Sequence, residues 1–75
     1  MSVVYKVIEI IGSSEKSWED AARNAVETAA KSVEEIKVAE VQELDMRVEK
    51  GKAVEYRAKL RISFKYLLYT HPPKR

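Results

Sequence analysis

The sequence of 75 residues has no cysteine, and its single histidine is His71. Without cysteine, no disulfide can cross-link the fold and no thiolate-ligated zinc site can form. The histidine lies in a tail with two prolines, which offers no packed neighbour to hold it beside a nucleophile. Two glycines are too few for a glycine-rich phosphate loop. These absences argue against catalysis, and we predict that the protein is not an enzyme.

Long apolar runs are also missing, and no stretch approaches the ~20 residues of a membrane-spanning helix. We expect no signal peptide in the N-terminal segment, because Lys6 and Glu9 interrupt its apolar residues. Hydrophobic residues make up 45% of the chain and charged residues 35%, which is a globular composition. We therefore expect a cytoplasmic protein with no membrane partner. The net charge of +2 is too balanced to indicate nucleic-acid binding by itself.

The chain is small for a domain that has no covalent cross-link. Area scaling gives a folded surface of roughly 4,700 Å², so a compact monomer would bury only about 60% of the surface of its unfolded chain. Chains of this size without disulfides or a structural metal are usually stabilised by self-association. We therefore expect a homo-oligomer.

A helix is predicted over residues 17–35. Ser17 is followed by Asp20 in the spacing of a capping box, with Ser14 as a competing cap. Apolar residues then recur at intervals of three and four, which is the stripe of an amphipathic helix. The members of the stripe are Trp18, Ala22, Ala25, Ala29, Val33 and Ile36. Because half of them are alanine, the helix can lie close against a flat surface such as a sheet.

Three segments are predicted to be strands. Residues 3–11 are mostly β-branched or aromatic and are followed by Gly12. A second strand begins at Val38, and a turn at 50–52 separates it from the third. The third strand, 54–66, has the clearest pattern, because apolar residues alternate strictly with polar ones.

The predicted fold class is therefore α+β, with the order β-α-β-β in one domain over residues 1–75. We expect an ordered core over about 3–66 and a loose tail over about 69–75. A strand of thirteen residues spans ~43 Å, whereas nineteen helical residues span only ~28 Å. One helix cannot cover such a hairpin, so strand length independently predicts that further copies of the chain cover the rest.

Trp18, at the start of the helix stripe, is interpreted as a structural anchor between helix and sheet. The alternative is a stacking platform for a ligand ring. Large apolar residues on a helix stripe usually belong to the core, which favours the structural interpretation.

The polar face of the third strand carries Arg57, Lys59, Arg61 and Lys65. We expect these side chains to pair with acids on the neighbouring strand, such as Glu40 and Glu43. An RNA-binding sheet would carry stacking aromatics on this face, and here the aromatics alternate onto the other one. A nucleic-acid-binding sheet is thus the weaker alternative.

Acidic residues of the second strand could bind a cation. The candidates are Glu43, Asp45 and Glu49. Their positions differ by two and by four, so the three side chains would point the same way on a regular strand. Carboxylate oxygens are the ligands that calcium prefers. These three residues are the candidate metal ligands, although most such rows are merely solvated.

Several segments together resemble the dodecin family. Tyr5-Lys6-Val7-Ile8-Glu9-Ile10-Ile11-Gly12-Ser13-Ser14 and Ser17-Trp18-Glu19-Asp20-Ala21 resemble its opening strand and helix start. Val54-Glu55-Tyr56-Arg57-Ala58-Lys59-Leu60 and Ile62-Ser63-Phe64-Lys65 resemble its last strand. The resemblance covers residues 3–66. It implies a three-stranded antiparallel sheet wrapped around one helix, with twelve copies in a hollow sphere.

The resemblance also implies a function, since dodecins bind and store flavins without turnover. The family's flavin-site positions fall on Val38, Glu40 and Arg57. Flavin-binding members stack a tryptophan on the isoalloxazine ring at the first position and hydrogen-bond the ring with a glutamine at the last. Valine has no π face, and arginine has donors only, so both departures argue against flavin binding here.

The chain is more similar to the branch of the family without the flavin tryptophan, to which calcium binding is attributed. Two interpretations therefore stay open. One is a non-enzymatic dodecameric store for a small ligand whose identity the sequence does not give. The other is an assembly that binds calcium or another cation and no flavin.

Overall fold

The computed structural model describes residues 2–33 and 35–69. Strand β1 (Ser2–Ser14) leads to helix α1 (Trp18–Ala29), and strands β2 (Ile36–Glu49) and β3 (Lys52–Tyr69) follow. The three strands form one antiparallel sheet in the order β1-β3-β2, with α1 on one face. The predicted β-α-β-β fold is confirmed. No helix among the described residues is long and apolar enough to cross a membrane.

Side chains that point from the sheet towards α1 form the core. β3 supplies Ala58, Leu60, Ile62 and Phe64, and α1 supplies Ala21 and Ala25; all six are buried. The alternation that predicted a half-buried third strand is therefore confirmed. Because the helix contributes only alanine to the buried set, its backbone lies close to the sheet.

The start of α1 follows the prediction. Ser17 is the N-cap, and its Oγ accepts a hydrogen bond of 2.9 Å from the Asp20 amide. The Asp20 carboxylate in turn accepts a bond of 2.7 Å from the Ser14 hydroxyl. The two serines that compete as caps in the sequence are thus both used.

The predicted end of the helix at residue 35 is wrong, because α1 ends at Ala29. Tighter turns replace the helix there: the Lys31 amide donates to the Thr28 carbonyl and the Ser32 amide to the Ala29 carbonyl. These turns still direct Val33 towards the core. The apolar period therefore continues past the point where the helix ends.

The strands are longer than predicted. β1 runs through Gly12 to Ser14, and β2 begins two residues before Val38. β3 includes Tyr69, where the loose tail was predicted to begin, and residues 70–75 lie outside the described residues. The hairpin turn is Lys50-Gly51, and both residues have positive φ. Two such residues are what a tight two-residue hairpin turn requires.

Register shifts in β2 change which residues share a face. β2 has an extra residue relative to β3 at Lys37 and again at Gln42. Because of the second, Leu44 lies opposite Ala58 on the helix side, whereas Glu40 lies opposite Arg61 on the other side. On a regular strand, Glu40 and Leu44 would share a face, and the extra residue separates them.

The helix covers only part of the sheet. Twelve helical residues span ~18 Å, whereas the eighteen residues of β3 span ~60 Å. The chain accordingly extends over 59 × 18 × 16 Å, with a radius of gyration of 16.2 Å instead of the ~11 Å of a compact chain of this length. Among residues 4–33 and 35–65, whose side chains the structure describes, nine large apolar ones remain exposed. They are Val4, Tyr5, Val7, Ile11, Val38, Val41, Leu44, Met46 and Val48.

Gly12 should be the least replaceable residue of the helix–sheet contact. A Cβ at this position would collide with the Ala21 carbonyl oxygen and lie 2.7 Å from the Ala25 Cβ. We expect Gly12→Ala to lower the free energy of unfolding by about 3 kcal/mol, the upper range for overpacking. Gly51→Ala is the control: it meets open space and should cost only about 1 kcal/mol from its positive φ. Equal losses in chemical denaturation would contradict this account.

Candidate functional site

The sheet face turned away from α1 carries most of the candidate residues. We call this surface the charged face, and its centre is the row Arg57, Lys59, Arg61 and Lys65 on β3. β1 borders the row on one side with Tyr5, Val7, Glu9 and Ile11. β2 borders it on the other with Val38, Glu40, Glu43 and Asp45. The face therefore has a basic centre, one mainly apolar flank and one mainly acidic flank.

The basic row is paired with acids, as predicted, but mostly not with the expected ones. The Glu9 carboxylate lies 3.7 Å from the Lys59 Nζ and 3.3 Å from an Arg61 Nη. The Lys65 Nζ lies 3.0 Å from Glu35, whose pKa this hydrogen bond lowers. Glu40 and Glu43 lie opposite Arg61 and Lys59 in register without forming ion pairs with them. The row is thus neutralised chiefly by residues outside the central part of β2.

Arg57 is held by Asp45 in a two-point contact. Its Nε donates to one carboxylate oxygen at 2.8 Å and its Nη2 to the other at 2.9 Å. This hydrogen bonding holds the pKa of Asp45 below its usual value and raises that of Arg57. The parallel geometry is the strongest that an arginine and a carboxylate can adopt. The guanidinium therefore lies along β2, directed towards Asp45.

A second arginine occupies the end of the hairpin. Arg47 donates to Glu55 at 2.8 Å and also contacts Glu49. Hydrogen bonding to Arg47 lowers the pKa of Glu55, and the two acids raise that of the arginine. The register shift after Arg47 adds a residue to β3, so Glu49 lies opposite Lys52 and stays on the same side of β2 as Glu43 and Asp45.

The predicted cation ligands Glu43, Asp45 and Glu49 are therefore not equivalent. Asp45 and Glu49 are each bound to an arginine, whereas Glu43 and its neighbour Glu40 are exposed and make no ion pair. No group of three His, Cys, Asp or Glu side chains converges within residues 2–33 and 35–69. The metal site stays a prediction, and one chain does not form it in advance.

The flavin-site positions also do not meet within one chain. Val38 lies opposite Ser63 and Arg57 opposite Asp45. The six-residue step along β3 between them corresponds to ~20 Å. The Val38 side chain is 57% exposed, and Glu40 lies between the two positions on the same face. A ligand that contacts both ends must do so across two copies.

Trp18 connects the start of α1 to the hairpin. Its indole Nε1 donates to the Asp45 carbonyl oxygen at 3.0 Å, and its ring meets Tyr56 edge-on at 5.0 Å. The side chain is half-buried and lies outside the fully buried core. These contacts join the helix to the sheet, and the structural role of Trp18 stays a prediction.

Sequence reasoning missed Asp45 as the partner of Arg57. Counting outward from the turn at Lys50-Gly51 would place Asp45 opposite Tyr56, and only the register shift after Arg47 moves it opposite Arg57. The role of Glu9 also had no signal, because nothing local in the sequence places β1 beside β3.

The described residues can be compared with known proteins. The family model named Dodecin matches residues 4–67. Calcium dodecin from Mycobacterium tuberculosis is 55% identical over 62 residues, which are 83% of this chain and 87% of that protein. A crystal structure of that protein is described as a calcium-chelating antigen with a novel calcium-binding site. It is 50% identical to this chain and superimposes with a TM-score of 0.78, and the match covers 93% of this chain and 99% of the antigen chain. A Thermus thermophilus structure is 28% identical with a TM-score of 0.82, covering 91% of this chain and all of its own.

Trp18→Ala should lower the free energy of unfolding by about 2 kcal/mol, because it removes one hydrogen bond and one aromatic contact. Trp18→Phe is the matched variant: it keeps the ring contact and should lose about half as much. Thermal and urea denaturation measure both. Unchanged stability in Trp18→Ala, together with loss of ligand binding, would show that the ring is a ligand platform instead.

Proposed function

The chain belongs to the dodecin family, and we propose that it is a non-enzymatic binding protein of twelve copies whose ligand is calcium and not flavin. The observation that carries the proposal is the 55% identity to a calcium dodecin over 83% of the chain. The residues at the flavin-site positions support the same choice.

Two features of this chain disfavour flavin. Val38 offers no ring for stacking, and the part of the chain that the structure describes places no aromatic side chain beside it on the charged face. Arg57, at the other position, is occupied by Asp45. A flavin would therefore lose its stacking partner and meet a guanidinium that is already committed to a carboxylate.

The free carboxylates indicate where calcium would bind. Calcium takes six to eight oxygen ligands, with carboxylates prominent among them. Glu43 and Glu40 are the acids of the charged face without an ion pair, whereas a cation at Asp45 or Glu49 must first displace an arginine. We propose Glu43 as the principal ligand of the predicted set, with Glu40 beside it. Two carboxylates are too few, so further ligands come from another copy.

The uncovered sheet supports the proposed assembly. The chain exposes 5850 Å², roughly 1,150 Å² more than a compact protein of its mass. A standard protein–protein interface buries about 800 Å² on each partner. The excess is thus large enough for at least one such interface, and the nine exposed apolar side chains supply its contacts.

The calcium proposal is tested on chelator-treated protein by native mass spectrometry and calorimetric titration. We expect a mass of twelve times 8.6 kDa, about 103 kDa, and calcium binding that Glu43→Gln weakens at least tenfold. Glu19→Gln makes the same charge change on α1 and should leave binding unaltered. An intact assembly that binds no calcium would reject the ligand, and a folded monomer would reject the assembly.

The flavin proposal is tested separately by riboflavin fluorescence. Stacking is worth ~1–3 kcal/mol per ring, and a two-fold site loses it twice, so about 4 kcal/mol or a thousandfold in affinity is missing. We expect little quenching by the natural protein and restored quenching by Val38→Trp combined with Arg57→Gln. Arg57→Gln alone is the control and should restore little. Tight binding by the natural protein would show that another residue supplies the platform.

A further inference from the structure

The charged face carries a row of three acids on β2. The extra residue at Gln42 brings Glu40 onto the same side of the strand as Glu43 and Asp45. The members of the row differ in one respect. Glu40 and Glu43 make no ion pair within the described part of the chain, whereas both carboxylate oxygens of Asp45 are bound to Arg57. The row therefore consists of two open carboxylates and one closed one.

A cation bound to Glu43 lies within reach of Asp45. The two residues are two positions apart on one side of β2, which corresponds to about 7 Å. Calcium–oxygen distances are ~2.3–2.6 Å, so two carboxylate oxygens on one ion are up to ~5 Å apart. Side chains that lean along the strand cover the remaining distance. Glu49, in contrast, is six positions from Glu43, or ~20 Å along the strand.

The contact that closes Asp45 can be exchanged without opening the core. It is formed by two side chains of the surface, of which Asp45 is 49% and Arg57 39% exposed. The main chain of Asp45 is held independently, because its carbonyl oxygen accepts a hydrogen bond of 3.0 Å from the Trp18 indole. A change of partner at the Asp45 carboxylate therefore requires only that two exposed side chains rotate, while the strand stays in place.

We propose that Arg57 is an internal competitor of calcium: it occupies Asp45 in the empty site, and a calcium ion bound at Glu43 displaces it and takes Asp45 as a further ligand. The inference rests on the proposed calcium function and names the residue that sets the affinity of that site. The ion gains a third carboxylate from the same chain, and the two hydrogen bonds of Arg57 are lost in the exchange. Arg57 therefore weakens calcium binding although it makes no contact with the ion.

Calorimetric calcium titration of chelator-treated variants tests the proposal. We expect Arg57→Gln to raise the calcium affinity about fivefold, the effect of losing one well-formed exposed ion pair. Arg57→Lys keeps the positive charge but not the two-point contact, so it should raise the affinity about twofold. An unchanged affinity in Arg57→Gln would overturn the proposal.

Arg47→Gln is the matched control. It removes the same charge from the next pair along the hairpin, where Arg47 binds Glu55 and Glu49. Because Glu49 is too far from Glu43 to share an ion with it, we expect the calcium affinity to change by less than about twofold. A gain equal to that of Arg57→Gln would show that any lost positive charge has this effect, and it would overturn the proposal.

A double-mutant cycle separates exchange at Asp45 from the charge of Arg57 acting at a distance. In protein that carries Asp45→Asn, the carboxylate for which calcium and the arginine compete is absent. We therefore expect the fivefold gain from Arg57→Gln to fall below about twofold in this background. A gain of the same size in both backgrounds would overturn the exchange.

The outcomes distinguish this inference from the proposed function. Calcium binding by the natural protein that Arg57→Gln leaves unchanged would overturn the exchange and leave the calcium function standing. Binding that appears only in Arg57→Gln would support the competition, with the arginine as the stronger competitor. If neither protein binds calcium, the exchange and the calcium function are both rejected.

Discussion

The difference in length between α1 and the strands is the constraint on which the rest of the structure depends. Gly12, Ala21 and Ala25 bring the helix so close to the sheet that backbone nearly meets backbone. That closeness makes a firm core over the middle of β3, but it is confined to the twelve residues of the helix. Beyond them, strands of up to eighteen residues carry apolar side chains that this chain cannot bury. In the proposed assembly, other copies would complete this core.

On the charged face, ion pairs between neighbouring strands determine the arrangement of the side chains. The cations of β3 lie in the middle of the sheet, so acids can reach them from both neighbouring strands. Glu9 from β1 serves Lys59 and Arg61, and Asp45 from β2 serves Arg57. Exposed pairs of this kind add little stability. Their effect is to determine which carboxylates remain available, and those are Glu40 and Glu43.

The sequence predicts features that repeat, and it misses features that depend on one residue or on distant segments. Strict alternation predicted the buried side of β3, from Ala58 to Phe64, and the Ser17–Asp20 spacing predicted the helix cap. The residues that bulge from β2, Lys37 and Gln42, do not differ in type from their neighbours on the strand. The sequence therefore contains no sign that Leu44 lies on the helix side of the sheet. The apolar stripe predicted a helix that is too long, because the turns after Ala29 still pack Val33 against the core. For the candidate site, the residue types were predictable, whereas the partner of each charge required the register.

The contacts that one chain offers to a ligand connect the proposed binding to the proposed assembly. One chain offers Glu40 and Glu43 as free carboxylates on the charged face, and it separates Val38 from Arg57 by ~20 Å along the sheet. Two carboxylates are fewer than the six to eight oxygen ligands of calcium, and this is why the proposed site takes ligands from a second copy. A ligand that needs groups from two copies binds the assembled state better than the separated chain, and it would therefore stabilise the proposed assembly by mass action. In this proposal, the length mismatch that leaves the sheet uncovered connects ligand binding to assembly.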